Sequence, residues 1–267
     1  MTNHLLTRDH IAKRLEIEAI ARYVKDGMTV LDVGCGDGET AIELAQRYDV
    51  IIEGLDSDAT FVERASVAGT DAFWRGLFKR KGYQPMFIIG DILALSDWGK
   101  GNYDLVKYDL VYTQRCLVCL PDWETQKRAI ANIARCLKPG GLYVMCECSQ
   151  DGLDAVNAMR ECIGLPPIVP PAWDRYLRDA EIEPYRRKIA RKYLGRFPQP
   201  MIESLTLEGI DDYSSTYYFL SRVVNARLAA DEGREPDYDA PVNRLALTLP
   251  PIAGLRGQGR VWLWRKA

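Results

Sequence analysis

Three glycines at alternate positions, Gly34, Gly36 and Gly38, lie in the segment VLDVGCGDGE, residues 30 to 39. Glycine at every second position lets a backbone turn sharply and pass close to a ligand, because no Cβ intervenes. The run Thr29–Val33 before it is β-rich, and Glu39 to Tyr48 after it has a helical pattern. The turn therefore joins a strand to a helix N-terminus, where backbone N–H groups are free. A phosphate loop needs G-x-x-x-x-G-K-[ST], yet no lysine occurs between Lys25 and Lys79. A dinucleotide turn, G-x-G-x-x-G, would put its third glycine at position 39, where this chain has Glu39. Asp32, Asp37 and Glu39 surround the turn, and no Lys or Arg falls among residues 26 to 46. A pyrophosphate would meet three carboxylates there.

S-adenosylmethionine has no phosphate and carries an ammonium and a sulfonium group, so an acidic glycine turn suits it. Two further carboxylates support a nucleoside ligand. Asp56, followed by Ser57, ends the second β-rich run, and its carboxylate can accept two hydrogen bonds from ribose hydroxyls. Asp91 ends the third run, Met86 to Ile89, where an adenine edge would lie. Acids at strand ends also serve as plain turn residues. Here they fall in order at the carboxyl ends of consecutive strands, which is where an open α/β sheet forms its ligand crevice.

The segments VLDVGCGDGE, GLDSDATFVERA, FIIGDIL, YDLVYTQRCLVCLPDW and CLKPGGLYVMCE together resemble the class I SAM-dependent methyltransferases over about residues 25 to 150. The resemblance implies a seven-stranded sheet closed by an antiparallel hairpin, here Tyr213–Leu220 with Val261–Trp264. It also implies that Asp32, Gly34, Cys35, Gly36 and Gly38 hold the methionine part of the cofactor, Asp56 and Ser57 the ribose, and Asp91 with Ile92 the adenine. Thr113 and Gln114 would line the methionyl side. The stretches AVNAMRECIGLPPI and IDDYSSTYYFLSRVVNARL resemble bacterial members that act on sugar or other small-molecule acceptors. One departure is the basic-aromatic stretch Phe73 to Lys81 between Asp56 and Asp91, which a further helix would explain.

Methyl transfer from a sulfonium is an in-line displacement, and the protein contributes mainly orientation and exclusion of water. An alcohol acceptor also benefits from a general base. The two histidines, His4 and His10, precede the first strand, and His10 is the candidate base on an N-terminal helix folded over the cofactor; a solvated or capping histidine is the plainer alternative. Arg115 follows the fourth strand, where it could clamp a carboxylate or phosphate or form a structural ion pair. Glu147 ends the fifth strand as a second candidate base. The hydroxyl-rich run Tyr213 to Tyr218 reads as a strand, with one face available to a sugar-like acceptor. The basic stretch Tyr185 to Arg196 reads as a solvated helix face or an anion contact. Cys116 and Cys119 have C-x-x-C spacing, but Cys146 and Cys148 have strand spacing, so buried thiols packed as small apolar groups are expected rather than a metal site. Cys35 has no paired base for nucleophilic catalysis.

The elements that must position these groups follow from periodicity. Apolar residues from Ile11 to Val24 form a helical stripe with Asp9 as N-cap. Asp58 and Asp122 stand where they would cap two further helices, and Lys138-Pro139-Gly140-Gly141 stops the second of these. Strands alternating with helices predict an α/β fold, a doubly wound and mostly parallel seven-stranded sheet of Rossmann-like type. The 267 residues are read as one domain, with residues 1–25 as a helical lid and residues 151–205 as a helical cap inserted between strands five and six.

Lys plus Arg number 35 against 37 Asp plus Glu, a balance that predicts no nucleic-acid partner. The apolar runs fall far short of the ~20 residues that span a bilayer, and MTNHLLTRDH is no secretory leader. Seven cysteines without such a leader point to reduced thiols and a cytoplasmic location. The expected function is methyl transfer from S-adenosylmethionine to a small-molecule acceptor, an oxygen on a glycan or other natural product. Two alternatives stand beside it: a non-catalytic regulatory protein that binds SAM or SAH, and a nicotinamide-dependent oxidoreductase, which the acidic turn opposes. A homo-oligomer is left open.

Overall fold

The computed structural model describes residues 9–97, 107–186, 202, 204–252 and 257–267. Helix α1 (His10–Ala21) precedes β1 (Thr29–Val33), α2 (Glu39–Arg47), β2 (Ile51–Asp56), α3 (Ala59–Trp74) and β3 (Met86–Ile89). There follow β4 (Tyr108–Gln114), α4 (Trp123–Cys136), β5 (Leu137–Cys148), α5 (Gln150–Cys162), α6 (Asp179–Ile182), β6 (Leu205–Asp211) and β7 (Gly259–Lys266). The strands form one sheet in the order β3-β2-β1-β4-β5-β7-β6. β1 to β5 pair in parallel, whereas β7 runs antiparallel to both β5 and β6. The order reverses between β1 and β4, so their carboxyl ends open the crevice that such sheets use for ligands.

Local chemistry starts the helices where the sequence indicates. Asp9 accepts the Ala12 N–H at 3.0 Å, Asp58 that of Thr60 at 2.8 Å, and Asp122 that of Thr125 at 2.7 Å. Helix α2 has no side-chain cap; it springs from Gly38, whose φ of 78° is left-handed. Successive residues of the central strands feed opposite faces. Leu31, Val33, Val111 and Met145 pack with Ile130 and Ile133 of α4 and with Trp262 and Trp264. Val30, Leu110, Tyr112 and Val144 pack with Ile20 of α1 and Leu44 of α2. Burial on both faces accounts for the nearly continuous apolar strands.

The closing strand is not the one expected. Residues Leu205–Asp211 pair with β7, while Ser215–Tyr218 is α-helical and continues as a π-turn, Phe219–Val224, into the helix Asn225–Asp231. Asp212 explains the switch: its carboxylate accepts the N–H groups of Ser214 and Ser215 at 3.2 and 3.1 Å. The Asx contact satisfies the first free donors of a helix. Tyr213 to Tyr218 are all buried, so this helix start is packed on every side. In the Phe73 to Lys81 stretch, α3 runs on through Trp74 and the rest is turns, so β3 keeps its place beside β2 with Asp56 opposite Ile89.

Candidate functional site

The glycine turn is fastened to the end of β2. Gly34 and Cys35 donate their N–H groups to the Leu55 carbonyl at 2.7 and 2.9 Å. Gly36 donates to Asp56 Oδ2 at 2.9 Å, and Asp58 donates to Asp56 Oδ1 at 2.9 Å. Each Asp56 oxygen thus holds one backbone donor and keeps a lone pair for a ligand hydroxyl. Glycine is needed at two positions on steric grounds. A Cβ on Gly34 would lie 2.6 Å from Cys116 Sγ, and one on Gly38 would lie 2.7 Å from the Phe87 ring. Both residues also have left-handed φ, 79° and 78°.

Asp32 lies behind the turn, 2% exposed, and accepts the Tyr112 hydroxyl at 2.7 Å. Burial pushes its carboxyl up to about 7 against the pull of that hydrogen bond. Burial, with Asp32 and Asp56 beside it, also pushes the Cys35 thiol far up, so it is not a nucleophile. Ser57 and Asp91 are exposed at the ends of β2 and β3, and Ile92 is buried. Asp91 accepts the Leu93 N–H at 2.8 Å, which holds the turn after β3. Thr113 is fully buried with its hydroxyl 3.0 Å from that of Tyr143.

Gln114 leads to two groups that the sequence did not suggest. Its Oε1 accepts from Thr40 Oγ1 at 2.7 Å and from Lys13 Nζ at 3.2 Å, while its Nε2 donates to Glu16 Oε2 at 2.5 Å. Lys13 and Glu16 are what α1 turns toward the crevice; His10, the expected base, lies exposed at the helix start. The available signal was Glu16 itself. It is 2% exposed within an apolar stripe, and a buried carboxylate needs a partner. Around the turn the donor set is carboxylate throughout, Asp32, Asp37 and Asp56, with Lys13 as a cation acting on Asp32. That set fits a nucleoside carrying an ammonium and a sulfonium or thioether, and does not fit a pyrophosphate.

Beyond β4 the chain forms a second wall. Arg115 has φ 52°, the one left-handed non-glycine residue among those described. Its Nη2 lies 3.2 Å from Glu16 Oε2, and this carboxylate is the main reason the guanidinium is held protonated. Asp174 also acts on Arg115. Glu147, 1% exposed, accepts the N–H groups of Cys116 and Leu117, both at 3.1 Å. Burial raises its carboxyl to about 7 despite these bonds.

A strap, residues 174–177, crosses the carboxyl ends of β4 and β5. Arg175 donates its N–H to the Val118 carbonyl at 2.7 Å, and Leu177 donates to that of Cys148 at 3.0 Å. Buried Gln126 staples the strap from below, its Nε2 reaching the carbonyls of Leu117 and Arg175 at 2.9 and 3.0 Å. Tyr176 on the strap receives Gln258 Nε2 at 3.2 Å, and Gln258 Oε1 has no hydrogen-bond partner among the described residues.

Several expected acceptor contacts are used elsewhere. The hydroxyls of Ser214 and Ser215 donate to the carbonyls of Gly259 and Pro251 at 2.6 and 3.1 Å, and that of Thr216 donates to Pro250. They anchor a helix to β7 and to the loop at Pro250 and Pro251. Cys35, Cys136, Cys146 and Cys148 are buried, and no group of three His, Cys, Asp or Glu with metal-holding geometry occurs among the described residues. His4 and most of the basic stretch after Arg186 lie outside the described residues. No described helix is long and apolar enough to cross a membrane.

Residues 30–141 match the family model of a methyltransferase domain. The chain is 36% identical over 135 residues to a sterol 24-C-methyltransferase of Gibberella zeae, which is 47% of this chain and 31% of that protein. It is 29% identical over 179 residues to the 27-O-demethylrifamycin SV methyltransferase of Amycolatopsis mediterranei, 64% of this chain and 59% of that one. The matches thus span less than two thirds of these relatives' lengths. In fold, the chain is similar to the magnesium protoporphyrin IX methyltransferase of Synechocystis with bound SAH (TM-score 0.56, 15% identity, 100% of this chain and 89% of the other). It is also similar to the [4+2]-cyclase SpnF (TM-score 0.54, 21% identity, 99% and 84%). The strand order and the acidic glycine turn agree with the matched domain: residues 30–141 form a methyltransferase domain of the class I, S-adenosylmethionine-dependent type.

Proposed function

We propose that this protein transfers the methyl group of S-adenosylmethionine to an oxygen of an electrically neutral, polar small molecule, a glycan or other natural product bearing hydroxyls. Asp32 and the Gly34–Gly38 turn would hold the methionine part, Asp56 and Ser57 the ribose, Asp91 and Ile92 the adenine. Thr113 and Gln114 would border the methionyl chain. The bound cofactor supplies the electrophilic methyl; the protein orients the acceptor and excludes water.

The observation that carries the acceptor class is the charge state of the second wall. Arg115 is already paired with Glu16 at 3.2 Å and faces Asp174 as well. A carboxylate or phosphate entering there would have to displace one acid and sit beside another, so the anion clamp is the weaker use of Arg115. The half-buried Tyr176 on the strap offers a neutral hydroxyl instead. The same polar strap disfavours a sterol. Two relatives whose names give oxygen chemistry, the rifamycin methyltransferase and the O-methyltransferase resE of Aspergillus sclerotiorum, agree with this choice.

The test has two stages. Calorimetric titration with S-adenosylhomocysteine and with NADH checks the cofactor; binding of NADH alone would overturn the reading. Transfer of labelled methyl is then measured on neutral polyhydroxylated acceptors and on their phosphorylated counterparts. Transfer to the phosphorylated set alone would overturn the neutral-acceptor assignment. Cofactor binding without transfer to any acceptor would favour a non-catalytic binding protein.

A further inference from the structure

Glu147 has the burial and position of a catalytic base, but its contacts give it other work. Its Oε1 is occupied by two backbone donors, Cys116 N–H and Leu117 N–H at 3.1 Å each, while its Oε2 is buried without a hydrogen-bond partner among the described residues. These donors belong to the first residues after β4. One residue earlier, Arg115 donates its N–H to the Cys146 carbonyl at 3.0 Å. The chain is therefore gripped by β5 on both sides of Arg115, first by a carbonyl and then by a carboxylate. Between the two grips Arg115 takes its left-handed φ of 52°.

The consequences reach the cofactor crevice by two routes. Cys116 is seated so close to Gly34 that a Cβ there would lie 2.7 Å from Cys116 Cβ. The back of the glycine turn thus rests on the β4 exit. Arg115, turned out of the strand, meets Glu16 of α1, the same carboxylate that receives Gln114. Glu16 thereby ties α1 to the β4 exit, beside the apolar packing that holds the helix on the sheet.

We infer that Glu147 is a positioning residue for cofactor binding: by holding the Cys116 and Leu117 N–H groups it seats Cys116 behind the glycine turn and turns Arg115 toward Glu16. Charge is not what this role requires. What it requires is an acceptor oxygen at the reach of a glutamate side chain. Gln supplies one without the charge. Asp keeps the charge but withdraws the oxygens by one carbon–carbon bond, about 1.5 Å.

The inference rests on the crevice being the S-adenosylmethionine site, and the variants separate the two. Wild type, Glu147→Gln and Glu147→Asp are titrated with S-adenosylhomocysteine, and their thiols are alkylated with iodoacetamide and mapped by peptide mass spectrometry. Exposed Cys162 serves as the internal standard. Glu147→Gln is expected to bind within about threefold of wild type, and Glu147→Asp to bind about tenfold or more weakly, the loss that one unsatisfied buried donor brings. In Glu147→Asp, Cys116 should alkylate several times faster relative to Cys162; in Glu147→Gln it should stay near the wild-type rate. A wild type that ignores S-adenosylhomocysteine sinks the cofactor reading and with it the link to binding, and the alkylation order then tests the grip on Cys116 by itself. Equal or better performance of Asp than Gln overturns the inference. If Glu147→Asp does not fold, Glu147→Gln decides alone. Wild-type affinity and wild-type Cys116 reactivity sustain the role, and a drop beyond tenfold in a folded protein overturns it.

Discussion

The two ends of the crevice each bury one carboxylate almost completely, Asp32 at 2% exposure and Glu147 at 1%. Burial raises both to about 7. Their surroundings differ. Asp32 has one phenol for a partner and looks onto a turn lined with further carboxylates, Asp37 and Asp56, so the region gains from a cation. Glu147 holds two backbone N–H groups of its own protein on Oε1, and its Oε2 is buried without a hydrogen-bond partner among the described residues. Equal burial thus accompanies different surroundings. What separates the two acids is what they hold: a side-chain phenol at Asp32, the backbone of the β4 exit at Glu147.

The largest effect that tests this comparison concerns pH. A carboxyl raised in the folded state keeps its proton where the unfolded chain has lost its own. Stability therefore falls as pH rises through the window between the two values, from about 4 to about 7, and is flat above it. Each group can contribute a slope of up to about 1.4 kcal/mol per pH unit. Urea unfolding between pH 4.5 and 8 should show the decline. Asp32→Asn and Glu147→Gln should each flatten it, since both amides keep an acceptor for the Tyr112 hydroxyl or for the loop N–H groups. Unchanged slopes in both variants would mean that neither acid is held protonated by burial.

The second effect belongs to the cofactor end alone. Asp56→Ala removes the acceptor of two N–H groups, Gly36 and Asp58, together with the proposed ribose contact. Calorimetry should find S-adenosylhomocysteine binding weaker by roughly 1.5–3 kcal/mol, the range of hydrogen bonds to a charged group. Unaltered affinity would remove Asp56 from the site and blur the contrast between the two ends.

The glycine-turn end of the crevice was legible in the sequence because its signals are local. Gly34, Gly36, Gly38, Asp56 and Asp91 each sit at or just beyond the end of a β-rich run. The Arg115 and Glu147 end was not, because its contacts join residues far apart in the chain. Glu147 meets Cys116 and Leu117 only because β4 and β5 pair with Gln114 opposite Cys146. Glu16 reaches Arg115 across 99 residues of chain, and nothing near either residue marks the pair beyond an acid in an apolar stripe. The run Tyr213 to Tyr218 misled for a different reason. Its Ser, Thr and Tyr composition favours strands, but Asp212 accepting the next two N–H groups starts a helix.

The smallest effect separates anchoring from recognition at that helix. If Ser215 served the acceptor, its loss would raise KM and leave stability alone. In the structure its hydroxyl donates to the Pro251 carbonyl at 3.1 Å and ties the helix start to the loop after Leu249. Ser215→Ala should therefore lower unfolding stability by about 0.5–1.5 kcal/mol, the net worth of one hydrogen bond, and shift the melting temperature by a few degrees. Once an acceptor has been found by methyl-label transfer, KM for it should stay within about twofold, because only the helix anchor has weakened. A raised KM with an unshifted melt would return this helix to the acceptor site and extend the polar wall beyond Tyr176 and Gln258. A lowered melt with an unchanged KM would confine acceptor recognition to the strap and the β4 exit.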